Sequence, residues 1–122
     1  MAGEAMEIRC PLSNTRRSKI TASGAKTKGD VEVIEDRVVA WADDIASGSE
    51  GTTYVGAEKA VFPKTTGETF AVHNEVRWND STKKLTKNSA FRPVGTAIRA
   101  AASNATTAWI EFHQEATGGS TY

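Results

Sequence analysis

The sequence predicts a small all-β fold, a β-sandwich or β-barrel built from short antiparallel hairpins, with an extended N-terminal arm. Two observations predict it: apolar residues alternate along several short stretches, and turn-forming residues interrupt these stretches every eight to twelve residues. With 122 residues, 39% hydrophobic and 25% charged, the chain matches one ordinary globular domain.

The first predicted hairpin begins after Gly29-Asp30. Val31 and Val33 alternate on a strand, Glu35-Asp36 turns the chain, and residues 37–42 return as a second apolar strand. A flexible loop at residues 47–51 then leads to a strand from about Thr52 to Phe62, which Pro63 ends.

A second hairpin is predicted in the middle of the chain. Its alternating residues, expected to point to one face, are Phe70, Val72, Val76 and Trp78. The pair His73-Asn74 is expected to be a turn that splits this run into two short strands, because asparagine tolerates the left-handed conformation. Residues 79–83 are turn formers and lead to Leu85, which completes the hairpin.

A third hairpin is predicted near the C-terminus, with its turn at Ser103-Asn104. The alternating residues are Val94, Thr96, Ile98 and Ala100 before the turn and Ala108, Ile110 and Phe112 after it. Residues 96–102 also have high helix propensity, but seven residues are too few for a stable isolated helix, so strand is assigned. A helical turn from Trp41 to Ala46 stays an open alternative.

Charge divides the chain into unequal parts. Residues 1–28 hold six basic and two acidic side chains (net +4), residues 29–58 hold one and eight (net −7), and residues 59–122 hold eight and five (net +3), although the whole chain is neutral. We predict an extended arm at 1–28, a β domain at 29–113 and a flexible tail at 114–122. The basic and acidic segments offer complementary surfaces for association between copies or with another partner.

No catalytic or cofactor chemistry is predicted. The chain has two histidines, His73 and His113, but no serine lies in a G-x-S-x-G motif. The phosphate-binding glycine motifs and the zinc-binding spacings are also missing from the sequence. The single cysteine, Cys10, is read as an inert thiol in a reducing compartment. No apolar run approaches the roughly 20 residues of a membrane span, and the first ten residues lack a signal sequence. We therefore expect a non-enzymatic protein without metal or cofactor that works by binding other subunits.

The predicted interface residues lie mainly in the arm. They are Arg9, Leu12, Arg16, Arg17, Ile20 and, outside the arm, Trp109. Trp109 alternates with the apolar Ala108 and Ile110, so its ring is a candidate interface anchor, whereas core packing is the simpler expectation for all three tryptophans. A single-strand nucleic-acid-binding barrel is the alternative function, based on Arg77 beside Trp78 and on the basic cluster at 16–19. Zero net charge and the acidic block argue against nucleic acid.

The order of motifs from Lys28 to His113 resembles a known family. The matching pieces are Lys28-Gly29-Asp30, Val38-Val39-Ala40, residues 60–64, residues 76–80 running into 83–86, Val94-Gly95-Thr96-Ala97 and residues 101–103. They resemble small tailed-phage head proteins, capsid decoration or cement proteins that are sometimes mislabelled as phage recombinases. The resemblance implies a homotrimer that binds the major capsid protein on the outer surface of the virion after synthesis in the host cytoplasm.

Overall fold

A computed structural model of the chain describes residues 6–34 and 37–113. The predicted Glu35-Asp36 turn, the first five residues of the predicted arm and the predicted tail lie outside the described residues. Within these ranges the only helical element is a 3₁₀ turn at Leu12–Asn14. The nine strands are β1 (Glu7–Ile8), β2 (Thr15–Thr21), β3 (Val31–Ile34), β4 (Arg37–Trp41), β5 (Glu50–Pro63), β6 (Glu75–Asn79), β7 (Lys84–Thr86), β8 (Arg92–Ala97) and β9 (Thr107–Phe112).

All nine strands belong to one antiparallel sheet. Its main path runs β3-β4-β5-β9-β8-β6-β7, while β1 and β2 also pair with β5. One edge of the long strand β5 therefore takes β2 and β1, from Thr21 opposite Glu50 to Glu7 opposite Val61. The other edge takes β4 at residues 53–54 and β9 from residue 57 onward. The strand β5 thus connects every part of the sheet.

The two strands β4 and β9 separate near Gly56. A side-chain carbon at this position would lie 3.3 Å from the carbonyl oxygen of Phe112 and 3.3 Å from Cδ of Arg16. The close approach favours glycine, since a larger residue would require the Phe112 carbonyl and the Arg16 side chain to shift by a few tenths of an ångström. The register also shifts between Ala57 and Ala60 and between Arg16 and Arg17, and such irregularities bend and twist a strand.

The bent sheet curls into a half-barrel around one apolar core. At its centre the ring of Phe62 packs edge-on against Trp78 at 5.9 Å and against Phe112 at 5.0 Å. The other large buried members are Val38, Phe70, Val76, Leu85, Val94 and Ile110. Met6 is also in this core with only 4% of its surface exposed, so the N-terminal segment contributes to the packing of the domain.

Two hydrogen bonds join the margins of the curled sheet. The backbone N–H of Thr65 donates to Leu85 O at 3.0 Å, which links the end of β5 to β7. Nζ of Lys83, in the turn between β6 and β7, donates to Val31 O at 3.3 Å and so links that turn to β3. These hydrogen bonds hold β3 and β7, the first and last strands of the path, so that the half-barrel surrounds its core.

The structure confirms the all-β fold and the three predicted hairpins. In the described residues β3 pairs with β4, β6 with β7, and β8 with β9, each antiparallel. The long strand appears where predicted but runs from Glu50 and includes Pro63. Residues 41–46 form the end of β4 and a loop, so the helical alternative there is wrong.

Two predicted alternations are wrong in part. Val72 was expected beside Phe70 on the inner face, yet it is 46% exposed because the chain turns at His73, whose φ is +77°. Phe70 makes only an isolated bridge to Ala101 instead of belonging to a strand. The strand β8 ends at Ala97, so Ile98 is half-buried and Ala100 is exposed. The prediction that the strand continues to Ala100 is therefore wrong.

Gly95 gives a direct test of the β8–β9 pairing. A side-chain carbon there would overlap the carbonyl oxygen of Glu111 on β9, whereas Gly24 has nothing within 4 Å. We expect Gly95→Ala to lower the free energy of unfolding by roughly 2 kcal/mol or more, since overpacking forces the backbone to move. Gly24→Ala is the matched control and should stay within about 0.5 kcal/mol of the parent chain in urea denaturation. Equal stability of the two variants would contradict the register.

Lys64 lies at the end of β5 with none of its surface exposed. Its Nζ donates to Thr65 O at 2.8 Å and to Ala105 O at 3.4 Å, and lies 5.3 Å from the ring centre of Phe70. Burial lowers the pKa of this ammonium group below its ordinary value of 10.5; the charge of Glu68 raises it and that of Lys87 lowers it.

The lowered pKa predicts a pH dependence of stability. Between the lowered pKa and 10.5 the unfolded chain binds more protons than the folded chain at Lys64, so this group makes the free energy of unfolding rise with pH. We expect the difference in unfolding free energy between the parent chain and Lys64→Met to shift in favour of the parent as pH rises from 7 to 10.5. All other titrating groups are the same in both chains, so their contributions to the pH dependence cancel in this difference. Parallel pH profiles in urea denaturation would refute the assignment.

Candidate interaction surface

The outer face of the sheet carries Trp109 at its centre. Along β9, Ala108, Ile110 and Phe112 are buried on the inner face, and Trp109 lies between them on the outer face, half-buried. On the adjacent strand β5, Val61 lies opposite Trp109, and on the next strand, β1, Glu7 lies opposite Val61. The alternation read from the sequence therefore places this tryptophan outside the core. By contrast, Trp41 and Trp78 are buried, and their Nε1 atoms donate to Glu32 at 3.0 Å and Asp80 at 3.1 Å.

Two guanidinium groups lie over the ring of Trp109. Cζ of Arg99 is 3.8 Å from the ring centre, and Cζ of Arg9 is 5.7 Å away. Such contacts are worth roughly 0.5–1 kcal/mol at exposed positions and restrict the arginine side chains. We call these three residues the Arg–Trp cluster. Arg9 also pairs with Glu7 at 2.7 Å, whereas Arg99 is exposed and pairs with no carboxylate in the described part of the chain.

Arg99 is the member that sequence reasoning missed. The third hairpin contained the signal, because its turn near Ser103-Asn104 sets a register in which residue 98 comes opposite residue 109. In the structure the N–H of Ile98 donates to Trp109 O at 3.0 Å, so the next residue, Arg99, reaches the ring. The alternation predicts that Thr96, Ile98 and Ala100 share one face, but it does not predict the contacts of Arg99.

A second surface is the strand β2, which we call the β2 edge (Thr15–Thr21). It pairs with β5 on one side, and no strand in the described residues pairs with its other side. Arg16, Arg17 and Lys19 are exposed on it, and Ile20 is half-buried. Open strand edges present unpaired N–H and C=O groups, and charged side chains on an edge discourage unwanted pairing.

The predicted interface residue Leu12 lines a groove. It is 54% exposed in the 3₁₀ turn that separates β1 from β2. The groove has a volume of about 340 Å³, and its apolar wall includes Met6, Ile8, Leu12 and Tyr54. Of the six predicted interface residues, the structure thus brings Arg9 and Trp109 together, sets Arg16, Arg17 and Ile20 on one strand, and leaves Leu12 at the groove.

The two histidines make different contacts. Nε2 of His113 lies 3.0 Å from Oγ1 of Thr96, and His73 occupies a turn. In residues 6–34 and 37–113, no three histidine, cysteine or acidic side chains converge as metal ligands would. Searching the same residues for a helix with the length and hydropathy of a membrane span finds none.

Comparison with known families decides the class of protein. The family model described as phage cement protein matches residues 13–112, which is most of the chain. The chain belongs to the phage cement protein family. The match includes the β2 edge, Arg99 and Trp109 but begins after Arg9. No curated protein and no solved structure matches the chain. Membership supports a structural cement role at the phage capsid, and the resemblance found in the sequence is confirmed.

The exposure of the tryptophans can be measured by fluorescence. Trp41 and Trp78 are 1% and 2% exposed, so Trp109 should account for nearly all emission that a water-soluble quencher reaches. We expect Trp109→Phe to lower the acrylamide quenching constant at least about twofold. Phe91→Leu, a change at another half-buried aromatic residue, serves as the control and should leave quenching unchanged. Unaltered quenching in Trp109→Phe would mean that the ring is enclosed.

Proposed function

We propose that this chain is a capsid decoration protein that binds the outer surface of a phage head as a homotrimer and stabilises it. The major capsid protein is the proposed partner. The observation that carries the proposal is the family match over residues 13–112, which spans a strand whose outer edge is open. A structural role of this kind depends on surfaces for association and requires no reaction.

The β2 edge is the proposed capsid-contacting surface. An extended segment of a neighbouring protein can add to an open strand by main-chain hydrogen bonds, and side chains then supply specificity. The exposed Arg16, Arg17 and Lys19 favour an acidic segment as that partner. Residues 15–21 of the predicted arm pair with β5 of their own domain, and the arm would present the other edge of that strand to the capsid.

Stabilisation of the head would follow from the added buried area. Each decoration subunit that contacts more than one capsid protein must be released before those proteins separate, so binding favours the assembled shell by mass action. A stable contact of this kind buries about 1,200–2,000 Å². A 122-residue domain has a modest core, and association with further copies would add to its own stability as well.

Charge reversal on the β2 edge tests this function. We expect Arg16→Glu with Arg17→Glu to weaken binding to purified heads that lack the chain by about tenfold or more, and binding of the parent chain to weaken with added salt. Lys84→Glu with Lys87→Glu changes the net charge equally at exposed positions near β7 and should bind like the parent. Co-sedimentation with the heads measures both variants.

Point changes are preferable to deletion here because Met6 belongs to the core, and a deletion that removed it would expose the residues it packs against. Circular dichroism must show both variants folded. Equal binding of the two charge variants would reject the β2 edge, and the absence of any binding by the parent chain would reject the capsid role. Heads that carry the parent chain should also release their DNA at a higher temperature than bare heads.

A further inference from the structure

The Arg–Trp cluster has the composition of a binding hot spot. Tryptophan and arginine are the residues most enriched at energetically dominant interface positions. Here the ring of Trp109 holds Arg99 at 3.8 Å, so the guanidinium group is restricted before any partner arrives. Less side-chain entropy is then lost on binding, which favours affinity.

The charge balance of the cluster leaves Arg99 ready for an acidic partner. Glu7 pairs with Arg9 at 2.7 Å, but no acidic side chain of the described residues pairs with Arg99. A guanidinium group on an indole ring can still donate hydrogen bonds from its edge to a carboxylate. The expected partner is therefore an exposed carboxylate on another molecule.

The chain itself presents such carboxylates at the start of β5. Asp43, Asp44 and Glu50 are all exposed, and we call them the acidic loop. Asp44 accepts a hydrogen bond from the N–H of Lys28 at 2.8 Å, whereas the carboxylates of Asp43 and Glu50 pair with no cation in the part of the chain that the structure describes. The acidic loop lies within the chain segment of net charge −7, which makes it the natural complement of Arg99.

Arg99 and the acidic loop lie beside opposite ends of β5. Glu50 begins β5, and Val61, the neighbour of Trp109, lies eleven residues further along the same strand. At about 3.3 Å per residue, a straight strand of that length spans about 36 Å. This separation favours contact between the two surfaces of different copies.

We propose that the Arg–Trp cluster of one copy binds the acidic loop of a second copy, with Arg99 donating to Asp43. The two surfaces differ, so the contact is head-to-tail, and such contacts close into rings when the rotation between copies permits. Pairing of two identical surfaces would instead bring like charges together. The inference deepens the proposed homotrimer and rests on it, because it assigns the surfaces that join its subunits.

Charge exchange tests the contact in solution. We expect Arg99→Glu alone and Asp43→Lys alone to raise the dissociation constant for self-association at least about tenfold. The double variant Arg99→Glu/Asp43→Lys restores an opposite-charge pair and should return to within about threefold of the parent. Equal mixtures of the two single variants should also associate. Lys84→Glu is the control, since it removes an exposed positive charge elsewhere and should associate like the parent.

Analytical ultracentrifugation over a range of protein concentrations gives the masses, with circular dichroism to show that each variant is folded. The inference is overturned by a parent chain that stays monomeric throughout, by an Arg99→Glu variant of parental mass, or by a folded double variant no better associated than the single variants. Binding of the parent chain to heads without self-association would overturn this contact but retain the capsid function. Self-association without binding to heads would reject the capsid function but retain this contact.

Discussion

The rest of the structure depends on the pairing of β5 along both of its edges. Fourteen residues of one strand carry β2 and β1 on one side and β4 and β9 on the other. Because β4 and β9 share an edge, the sheet must open between them, and Gly56 with the nearby register shifts allows this. The bend then lets the sheet curl around Phe62, which lies on the same strand. One strand thus sets both the topology and the core.

The same strand also separates the two proposed association surfaces. The β2 edge follows the first half of β5, and the Arg–Trp cluster lies beside its last residues. A rigid strand holds these surfaces at a fixed separation and orientation, which a flexible linker would not. The proposed contacts to a capsid and to another copy therefore use different residues.

The sequence predicts the fold well where alternation and turn residues agree. Ala108, Ile110 and Phe112 were placed correctly because successive side chains on a strand face opposite sides, whereas of Val31 and Val33 only Val31 is buried. Val72 and Ile98 were misplaced because neither belongs to a strand: the chain turns at His73, whose N–H donates to Ala97 O at the end of β8. The pairing of β2 with β5 was not foreseen either, since Arg16-Arg17-Ser18-Lys19 has no apolar alternation. Edge strands need only one covered side, so polar sequences can form them.

The arrangement of charge explains why composition alone says little about the partners of this chain. A net charge of zero indicates weak long-range attraction to any polyanion or polycation. Short-range complementarity is different, because the exposed cations of β2 and the carboxylates near Glu50 act only within about a Debye length, roughly 8 Å in physiological salt. Such charges select partners that already fit in shape, and a shell whose subunits repeat at fixed spacing presents such a partner many times. A neutral chain with segregated charges is therefore suited to specific assembly rather than to general adhesion.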